Sequence, residues 1–562
     1  MEAGIAGGTL AVSDATTVEA LEKAKIETLA ADGGGAGQVA GGGSATVNNI
    51  ANTTRAGIHG SSNSAAGNRT AITASDESGI DSIAGAIRIG GQGGVGAAAA
   101  INRIGNTVDA YFTGARAGQD YQAKNVVLDA GSEGAIRTIA VGVAGGGQAG
   151  VAGSVATNML DTTVTARIAD GARVRAGNNV GVLAHNQDRI EVAAGAAGIG
   201  GANAGVALST VANVIESQTL AFIAGAATQV TALGQDAADT LAIRTGELTA
   251  APDIGAVPSA DSFAWFALQG KTGAASGVAV NAFSTQQVGS IAASVGATLP
   301  NPKGSGAVGA TAAVNVLAGA TEAYVDGAAI NPDNTGAGSG QDVDIRAASH
   351  SYSTSFVAGA SVSGDVAMGG ALDTTTISRT TRAWAGDAAI AAADDVNVAA
   401  HSGQGIRAIG ASAGGAIAGG PGTGIVGVIE STTEAWIEDS ILRAVDLDII
   451  AASRSGLNLM GGTLAIGGGA VGGALAVAVS DATTRAGMRN GSAALGGSLD
   501  VEADADTRFW NAAVSGAAGN QGGEEEGALA EGREQAGVGG REQRRRVEDD
   551  EMVLREVVDE LL

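Results

Sequence analysis

Alternation of apolar and polar residues recurs at regular intervals along this chain. The segments NVGVLAH (179–185), DVDIRAA (342–348), DVNVAAH (395–401), DLDIIAA (446–452) and SLDVEAD (498–504) each place an apolar residue at every second position. Period two sends successive side chains to opposite faces of a strand, and a helical period of 3.6 fits none of these copies. The pattern predicts short β-strands with one face inward and one outward.

A second element repeats at the same interval. A run of small residues leads into a threonine, one variable residue and a small anchor residue, as in AAVNVLAGATEAYV (312–325) and GIVGVIESTTEAWI (424–437). The anchors lie near 50 residues apart, with one irregular stretch, at Ala56, Ala110, Ala166, Ala221, Gly289, Ala323, Ala383, Ala435 and Ala486. Such recurrence is typical of stacked repeats, each of which buries its apolar face against its neighbours. We therefore predict an all-β, elongated β-solenoid, similar to a parallel β-helix, with about nine repeats.

Composition supports a thin core and narrows the partners. The chain has 92 glycines, 45% hydrophobic residues and only 3% aromatic residues, which suits a core of Ala, Val and Ile with glycine at the corners. The net charge of −26 argues against nucleic acid, whose phosphates require a basic surface. The long apolar stretches are interrupted by Gly, Ser and Thr, so no membrane-spanning helix is expected. No cofactor is expected either.

Three regions depart from the repeat. The solenoid is predicted over residues 36–520, with a projecting insertion at 245–275. Residues 1–35 are predicted to form a partial repeat with a short helix over VEALEKAKIETLA (18–30). Residues 521–562 form a charge-dense tail, predicted to be disordered and then helical. Because the chain begins inside a repeat and without a signal peptide, we expect a fragment of a longer protein whose export signal lies elsewhere.

The most promising chemistry lies directly after the anchors. An aromatic residue follows the anchor in five copies, and the residue before the anchor is mostly charged, so both should share the outward face. These candidate ligand-binding residues are Tyr111, Phe222, Tyr324, Trp384 and Trp436. An exposed aromatic column can stack on sugar rings or pack on a partner. The alternative is cross-strand stacking that only stabilises neighbouring repeats.

Other polar groups give weaker signals. Calcium would need six to eight converging oxygens, so we interpret the recurring aspartates as solvated strand ends, and no metal site is predicted. His185, His350 and His401 are expected at the surface. No catalytic residue is assigned, because an active site is a single constellation and most polar residues here recur. A polysaccharide lyase or glycosidase using two carboxylates of neighbouring repeats remains the enzymatic alternative. The aspartates are Asp342, Asp344, Asp395, Asp446, Asp448 and Asp500.

Together, the glycine-rich run, the AVNVI-like strand, the T-x-A-aromatic-I strand and the DVDIxA strand resemble the repeats of large bacterial exoproteins of the filamentous-haemagglutinin and leukotoxin-like adhesin class. The resemblance covers roughly residues 36–518. It implies a non-enzymatic passenger segment that is secreted or held at the bacterial cell surface. It also implies a type V export route through a β-barrel translocator encoded elsewhere, and adhesion to glycans, host protein or neighbouring cells. A spacer region of a large secreted toxin is a further alternative.

Overall fold

The computed structural model describes residues 1–116, 119–246, 271–299 and 304–519. Within these ranges the chain is all-β, with no helix, and its strands stack in register as an elongated β-solenoid, which confirms the predicted fold class. The strands form three long parallel sheets, which we call A, B and C, and one short hairpin. The predicted tail at 521–562 lies outside the described residues.

Sheets A and C carry the long strands. Sheet A consists of β1 (Glu2–Ala6), β4 (Val39–His59), β7 (Gly93–Thr113), β10 (Ala149–Ala169), β13 (Ala204–Ala224), β18 (Gly306–Asp326), β21 (Val366–Gly386), β24 (Ala418–Gly419) with β25 (Gly422–Glu438), and β28 (Gly469–Ala470) with β29 (Gly473–Arg489). Sheet C consists of β3 (Ala15–Ala36), β6 (Arg69–Gly90), β9 (Asn125–Gly146), β12 (Val180–Gly200), β17 (Gly277–Thr298), β20 (Asp342–Val362), β23 (Val396–Gly415), β27 (Leu447–Ile466) and β31 (Leu499–Ala518).

Sheet B is narrow and joins the other two. Its strands are β2 (Thr9–Leu10), β5 (Ser62–Asn63), β8 (Tyr121–Ala123), β11 (Arg173–Ala176), β14 (Gln229–Ala232), β19 (Ala329–Ile330), β22 (Ala389–Ala391), β26 (Ile441–Ala444) and β30 (Ser492–Leu495). Each coil of the solenoid runs through a strand of sheet A, a strand of sheet B and a strand of sheet C, and then turns sharply into sheet A of the next coil. The described residues form nine such coils.

The anchor alanines stack in one column of sheet A, with one correction. Ala56 pairs with Ala110, and Ala221 pairs directly with Ala323 across the irregular stretch. The prediction that Gly289 is an anchor is wrong, because Gly289 lies in β17 of sheet C, opposite Glu191. In a chain so rich in small residues, a short threonine-and-small-residue pattern also arises on the outward face of another sheet.

Residues 18–30 form part of β3 rather than the predicted helix. Their composition favours a helix, but they also satisfy period two: Val18 and Ala20 are buried, and four of the five charged residues point outward, with Glu22 alone on the inward face. In-register pairing with β6, such as Val18 with Ile72, supplies backbone hydrogen bonds that an isolated helix would lack in this position. Tertiary pairing therefore overrides the local propensity.

The described residues at the base of the predicted insertion (245–275) depart from the three-sheet pattern. Its base is an antiparallel hairpin of β15 (Leu241–Arg244) and β16 (Thr272–Ala275), the only antiparallel pair among the described strands. Leu241, Ile243 and Ala275 pack beside the outer surface of sheet C, against Ala279. Residues 247–270, which contain most of the predicted insertion, lie outside the described residues.

In each coil, the corner between sheets A and B has at least one residue in the left-handed region of backbone conformation. Gly60 and Gly114 fill this corner in early coils, whereas Asp387, Asp439 and Asn490 do so in later ones, with φ between 47° and 69°. Glycine, aspartate and asparagine tolerate this conformation best. The backbone N–H at the corner donates to the next coil, as from Asp387 to the Glu438 carbonyl at 3.2 Å.

The interior changes along the long strands. We call the wide half the part beside sheet B, where buried Ile, Val, Leu and Phe fill the space between all three sheets. We call the narrow half the ends of the sheet C strands from Leu29 and its register partners onward, the turn that follows, and the sheet A strands up to Val47 and its register partners. Its interior is built mainly from alanine and glycine.

A ladder of buried asparagines separates these two halves. Asn48, Asn102, Asn158, Asn213 and Asn315 occupy one inward column of sheet A and are at most 5% exposed. The side-chain amide of each of the first four donates to the side-chain oxygen of the next, at 2.7 to 2.9 Å. Since each amide offers both donor and acceptor, one residue type satisfies its neighbours above and below.

In the narrow half the two long sheets approach so closely that only glycine fits at many inward positions. A Cβ on Gly198 would overlap the carbonyl oxygen of Val206 in the facing sheet, and one on Gly296 would overlap that of Val308. The larger aliphatic side chains of this half therefore point outward.

Candidate functional site

The aromatic residues predicted as a binding column lie at the outer edge of sheet A, in the wide half. Each follows a fully buried anchor, such as Ala323 before Tyr324, so strand alternation turns the ring outward. All five aromatic residues are half-buried, and each shares a face with the residue two positions earlier, which is charged in four of the five copies. In register, the column reads Gly57, Tyr111, Arg167, Phe222, Tyr324, Trp384, Trp436 and Gly487.

Three of the rings form a continuous stack. The ring centroids of Phe222 and Tyr324 are 4.8 Å apart with an interplanar angle of 5°, and those of Tyr324 and Trp384 are 4.6 Å apart at 11°. These distances match the spacing of neighbouring strands, because adjacent coils place the rings directly above one another. We call the column from Phe222 to Trp436 the aromatic strip.

Tyr111 belongs to a separate cluster, because Arg167 lies between it and Phe222 in the column. The guanidinium groups of Arg55 and Arg167 lie 5.2 and 5.4 Å from the centroid of the Tyr111 ring. Asp109 accepts two hydrogen bonds from Arg167, each at 3.1 Å, and one from Arg55 at 3.2 Å. The five predicted residues are therefore brought together as four plus one, and sequence parity alone did not reveal this break.

Glycine neighbours mark both ends of the column. The Tyr111 ring covers Gly57, and a Cβ at Gly57 would overlap it. The Trp436 ring covers Gly487 in the same way, with a Cβ there only 2.7 Å from the indole. Where the column lacks a side chain, the neighbouring ring lies over the exposed backbone, which explains why glycine replaces the aromatic residue at these two positions.

The most open part of the aromatic strip is a cleft of about 200 Å³ around Trp384 and Trp436. Charged residues surround the two indoles, and Glu434 is central: Arg382 lies 3.2 Å and Arg485 3.6 Å from its carboxylate. The indole N–H of Trp384 has no hydrogen-bond partner among the described residues. Apolar rings beside ion-paired carboxylates and guanidinium groups can take a ligand with both a flat apolar face and polar substituents.

Sequence reasoning missed the second pair of charges at this cleft. Glu438 and Arg489 form an ion pair two residues beyond the aromatic column, on the same outward face. The sequence could have indicated them, because residues two positions apart on a strand share a face. The rule that placed the aromatic residues outward also places Glu438 and Arg489 outward. Tyr324, deeper in the strip, stays neutral: burial, followed by the carboxylates of Glu322 and Asp326, raises its pKa to about 12.

The recurring aspartates at strand starts have a structural role, and the interpretation of them as solvated strand ends is wrong for Asp344, which is 4% exposed. Asp342 Oδ1 accepts a hydrogen bond from the backbone N–H of Asp395 in the next coil at 3.2 Å, and Asp446 accepts one from Ser498. Within the described ranges, one cluster of three carboxylates is close enough to share a cation, and it consists of Asp342, Asp394 and Asp395. Burial and the neighbouring carboxylates raise the pKa of Asp342 to about 6. Each of the three offers one ligand oxygen here, and three oxygens are fewer than the six to eight that calcium takes.

The expectation that all three histidines lie at the surface is wrong for His350. His185 and His401 share a column of sheet C and are half-exposed. His350 is only 1% exposed, and its Nε2 lies 3.0 Å from the carbonyl of Gly246 at the base of the insertion. Burial lowers the pKa of His350 to about 4. The base of the insertion covers this part of sheet C, which the repeat pattern could not show.

Comparisons with known proteins give no assignment. No protein family, curated protein or solved structure matches this chain. In the part of the chain that the structure describes, no helix is long and apolar enough to cross a membrane.

Proposed function

We propose that this chain is a non-enzymatic passenger segment of a secreted or cell-surface bacterial adhesin. In this proposal the stacked coils act as a rigid rod, and the aromatic strip is its binding surface for glycans on host or neighbouring cells. The observation that carries the proposal is the stack of half-exposed rings, which continues in register from Phe222 to Trp384 and opens into the cleft beside Trp436.

The chemistry of the cleft favours a carbohydrate. The apolar face of a sugar ring packs on an aromatic ring, and its hydroxyl groups can accept from the guanidinium of Arg485 and donate to the carboxylate of Glu434. Since successive rings are one coil apart, neighbouring residues of one polymer chain could engage several rings together, which raises the effective affinity.

A stacking role alone would not require this arrangement of charges. Rings that only stabilise the sheet are covered on both faces by neighbouring rings, as Tyr324 is by Phe222 and Trp384. Trp436, in contrast, has Gly487 as its neighbour on the far side and is flanked by Glu434 and Glu438. The Trp436 end of the strip is therefore where we expect ligand contact to be strongest.

Attachment assays with matched tryptophan variants test this proposal. Replacing Trp384 and Trp436 together by Ala should weaken attachment to cells and to a glycan array at least about tenfold while the β-rich circular dichroism spectrum is kept. Trp510→Ala is the control, since Trp510 is 47% exposed in β31 of sheet C, away from the strip. Unchanged attachment of the double variant per folded molecule, or an equal loss in the control, would contradict a binding role for the strip.

A further inference from the structure

A large surface without any polar side chain covers the outside of sheet C in the narrow half. Each sheet C strand contributes four outward positions there, and every one of these positions in all nine strands is Ala, Gly, Val, Leu, Ile, Met or Phe. We call this surface the sheet C apolar face. Its four columns begin at Leu29, Ala31, Gly33 and Gly35.

Many of these side chains are well exposed. Ile83 is 43%, Ile139 44% and Ile291 37% exposed in the column that begins at Leu29. In the column that begins at Gly35, at the rim of the face, Ile89 and Val362 are 62% and 58% exposed. Exposure of these aliphatic side chains to water is unfavourable. Covering the face with another apolar surface would therefore be favourable.

The size of the face is sufficient for a stable interface. Nine strands about 4.8 Å apart, with about eight residues of roughly 3.3 Å each along the strand, give a surface of about 1,000 Å². The largest apolar patch on a typical monomer is about 300–600 Å². A standard protein–protein interface covers about 800 Å² on each partner. The face therefore matches what one side of a stable dimer requires.

We propose that the sheet C apolar face is a self-association surface that packs against the same face of a second copy of this chain. Two flat sheets can pack face to face about 10 Å apart, as in a β-sandwich, with the aliphatic columns interdigitated. A contact between identical faces is self-complementary, so a two-fold dimer closes without further subunits.

The distribution of charge also favours this face for contact between copies. The chain carries a net charge of −26, so two copies repel each other wherever their carboxylates meet. The sheet C apolar face carries no charged side chain, whereas the wide half of the same sheet exposes Lys25, Asp81, Arg137 and Glu191. Contact through the narrow half keeps most of the carboxylates of the two copies apart.

The turn at the end of the narrow half argues against lipid as the covering medium. Gln38, Gln92, Gln148 and Asn203 lie exposed at this turn, between the two outer faces. Insertion of the narrow half into a bilayer would carry this polar row into hydrocarbon, which is costly. A second copy lying on one face leaves the row in water.

Sedimentation equilibrium of the full chain tests the proposal. We expect the wild type to be a dimer, and a double Ile139→Lys and Ile291→Lys variant to dissociate at least about 100-fold more readily, because each lysine would place a charge inside the apolar contact. Val95→Lys with Val155→Lys is the matched control: these valines are 47% and 45% exposed, but on sheet A. The control should remain dimeric, and circular dichroism should show both variants folded.

Single cysteines give a second measurement that does not depend on tolerating lysine. The chain has no cysteine, so Ile139→Cys or Ile291→Cys should form a covalent dimer under mild oxidation, while Val155→Cys should not. The proposal is overturned by a monomeric wild type at about 50 μM, by equal cross-linking at Val155, or by flotation of the chain with neutral phospholipid vesicles in place of dimer formation.

Discussion

The two halves of the solenoid distribute their side chains in opposite ways. In the wide half the large aliphatic residues lie inside, as Ile58 and Leu128 do, and charged residues such as Asp109 lie outside. In the narrow half the interior holds alanine and glycine, and residues such as Ile87 lie outside. The difference follows from the distance between sheets A and C: where the backbones nearly touch, an alternating strand can place its large side chains only on its outer surface.

The comparison shows that hydrophobicity alone does not decide which residues are buried in a solenoid. Sheet B separates sheets A and C on the wide side and creates room for Val, Ile and Phe. On the narrow side a sharp turn brings the sheets together. Stability in the wide half rests on apolar burial, while the narrow half depends on close backbone packing between glycines.

Filling the narrow interior should have the largest effect on stability. Gly296→Ala places a Cβ against the Val308 carbonyl of the facing sheet, so the sheets must separate, and we expect a loss of about 3 kcal/mol or more in the free energy of unfolding. Gly153→Ala is the control, because its Cβ would meet nothing within 4 Å on the outer face. Denaturant unfolding measures both, and equal stabilities would mean that the sheets are not in close contact.

A lone carboxyl in the narrow interior predicts a pH effect. Asp373 is 1% exposed, and burial raises its pKa to about 6, from an ordinary value of 3.8. Between these values the unfolded chain ionises while the folded chain does not, so the stability of the wild type falls as pH rises from about 4 to 6. Asp373→Asn removes this pH-dependent loss of stability. The variant should be more stable than the wild type by up to about 3 kcal/mol at pH 8, with little difference at pH 4.

The comparison variant for this titration is Asp365→Asn, on the same sheet A side but at the turn and only half-buried. Thermal unfolding at pH 4, 6 and 8 gives the difference between variant and wild type. A stability gap for Asp373→Asn that stays constant with pH would show that the buried group is ionised throughout, contrary to the expected titration.

A substitution in the asparagine ladder, between the two halves, should have an intermediate effect on the free energy of unfolding. Asn158 accepts from Asn102 at 2.9 Å and from Thr138 at 2.6 Å, and donates to Asn213 at 2.9 Å. Asn158→Ala leaves these buried groups without partners, for an expected loss of about 2 kcal/mol. The adjacent outward substitution Thr157→Ala should change stability by less than about 0.5 kcal/mol. If the two variants are equally stable, the ladder contributes nothing.

The smallest effect is expected at the charged outer surface of the wide half. Asp109 is ion-paired with Arg55 and Arg167, and its side chain is 13% exposed. Asp109→Asn should cost about 1 kcal/mol in low salt and less in 0.5 M salt, since partly exposed pairs are screened. The loss is measured by thermal unfolding at the two salt concentrations, with Glu77→Gln at the exposed pair with Lys23 as the control. A loss that does not depend on salt would assign the effect to packing.

The fold class could be predicted because alternation and repetition agree in the wide half. The columns that contain Val343, Val396 and Leu447 were visible as aligned strand starts. The asparagine ladder was equally visible, as an asparagine within most of the AVNV-like strands, but one polar residue in an apolar strand does not by itself indicate where its partner lies. Knowledge of the register was needed to connect them.

The narrow half could not be predicted in the same way. Segments such as 139–145 are apolar in both phases of the alternation, so the sequence does not indicate which side faces inward. In the aromatic column, parity placed the rings outward, but the break at Arg167 depends on which coils are neighbours. The false anchor at Gly289 had hidden that Ala221 and Ala323 are adjacent.

The backbone hydrogen bonds between coils point along the axis of the rod, which determines how the molecule responds to force. Tension applied to its two ends acts on the coils in series, so a terminal coil can peel away while the others remain stacked. Each released coil of near 50 residues can extend to about 170 Å, whereas it occupies only about 4.8 Å of the folded rod. Under load, the stack would lengthen in steps and dissipate energy at each step.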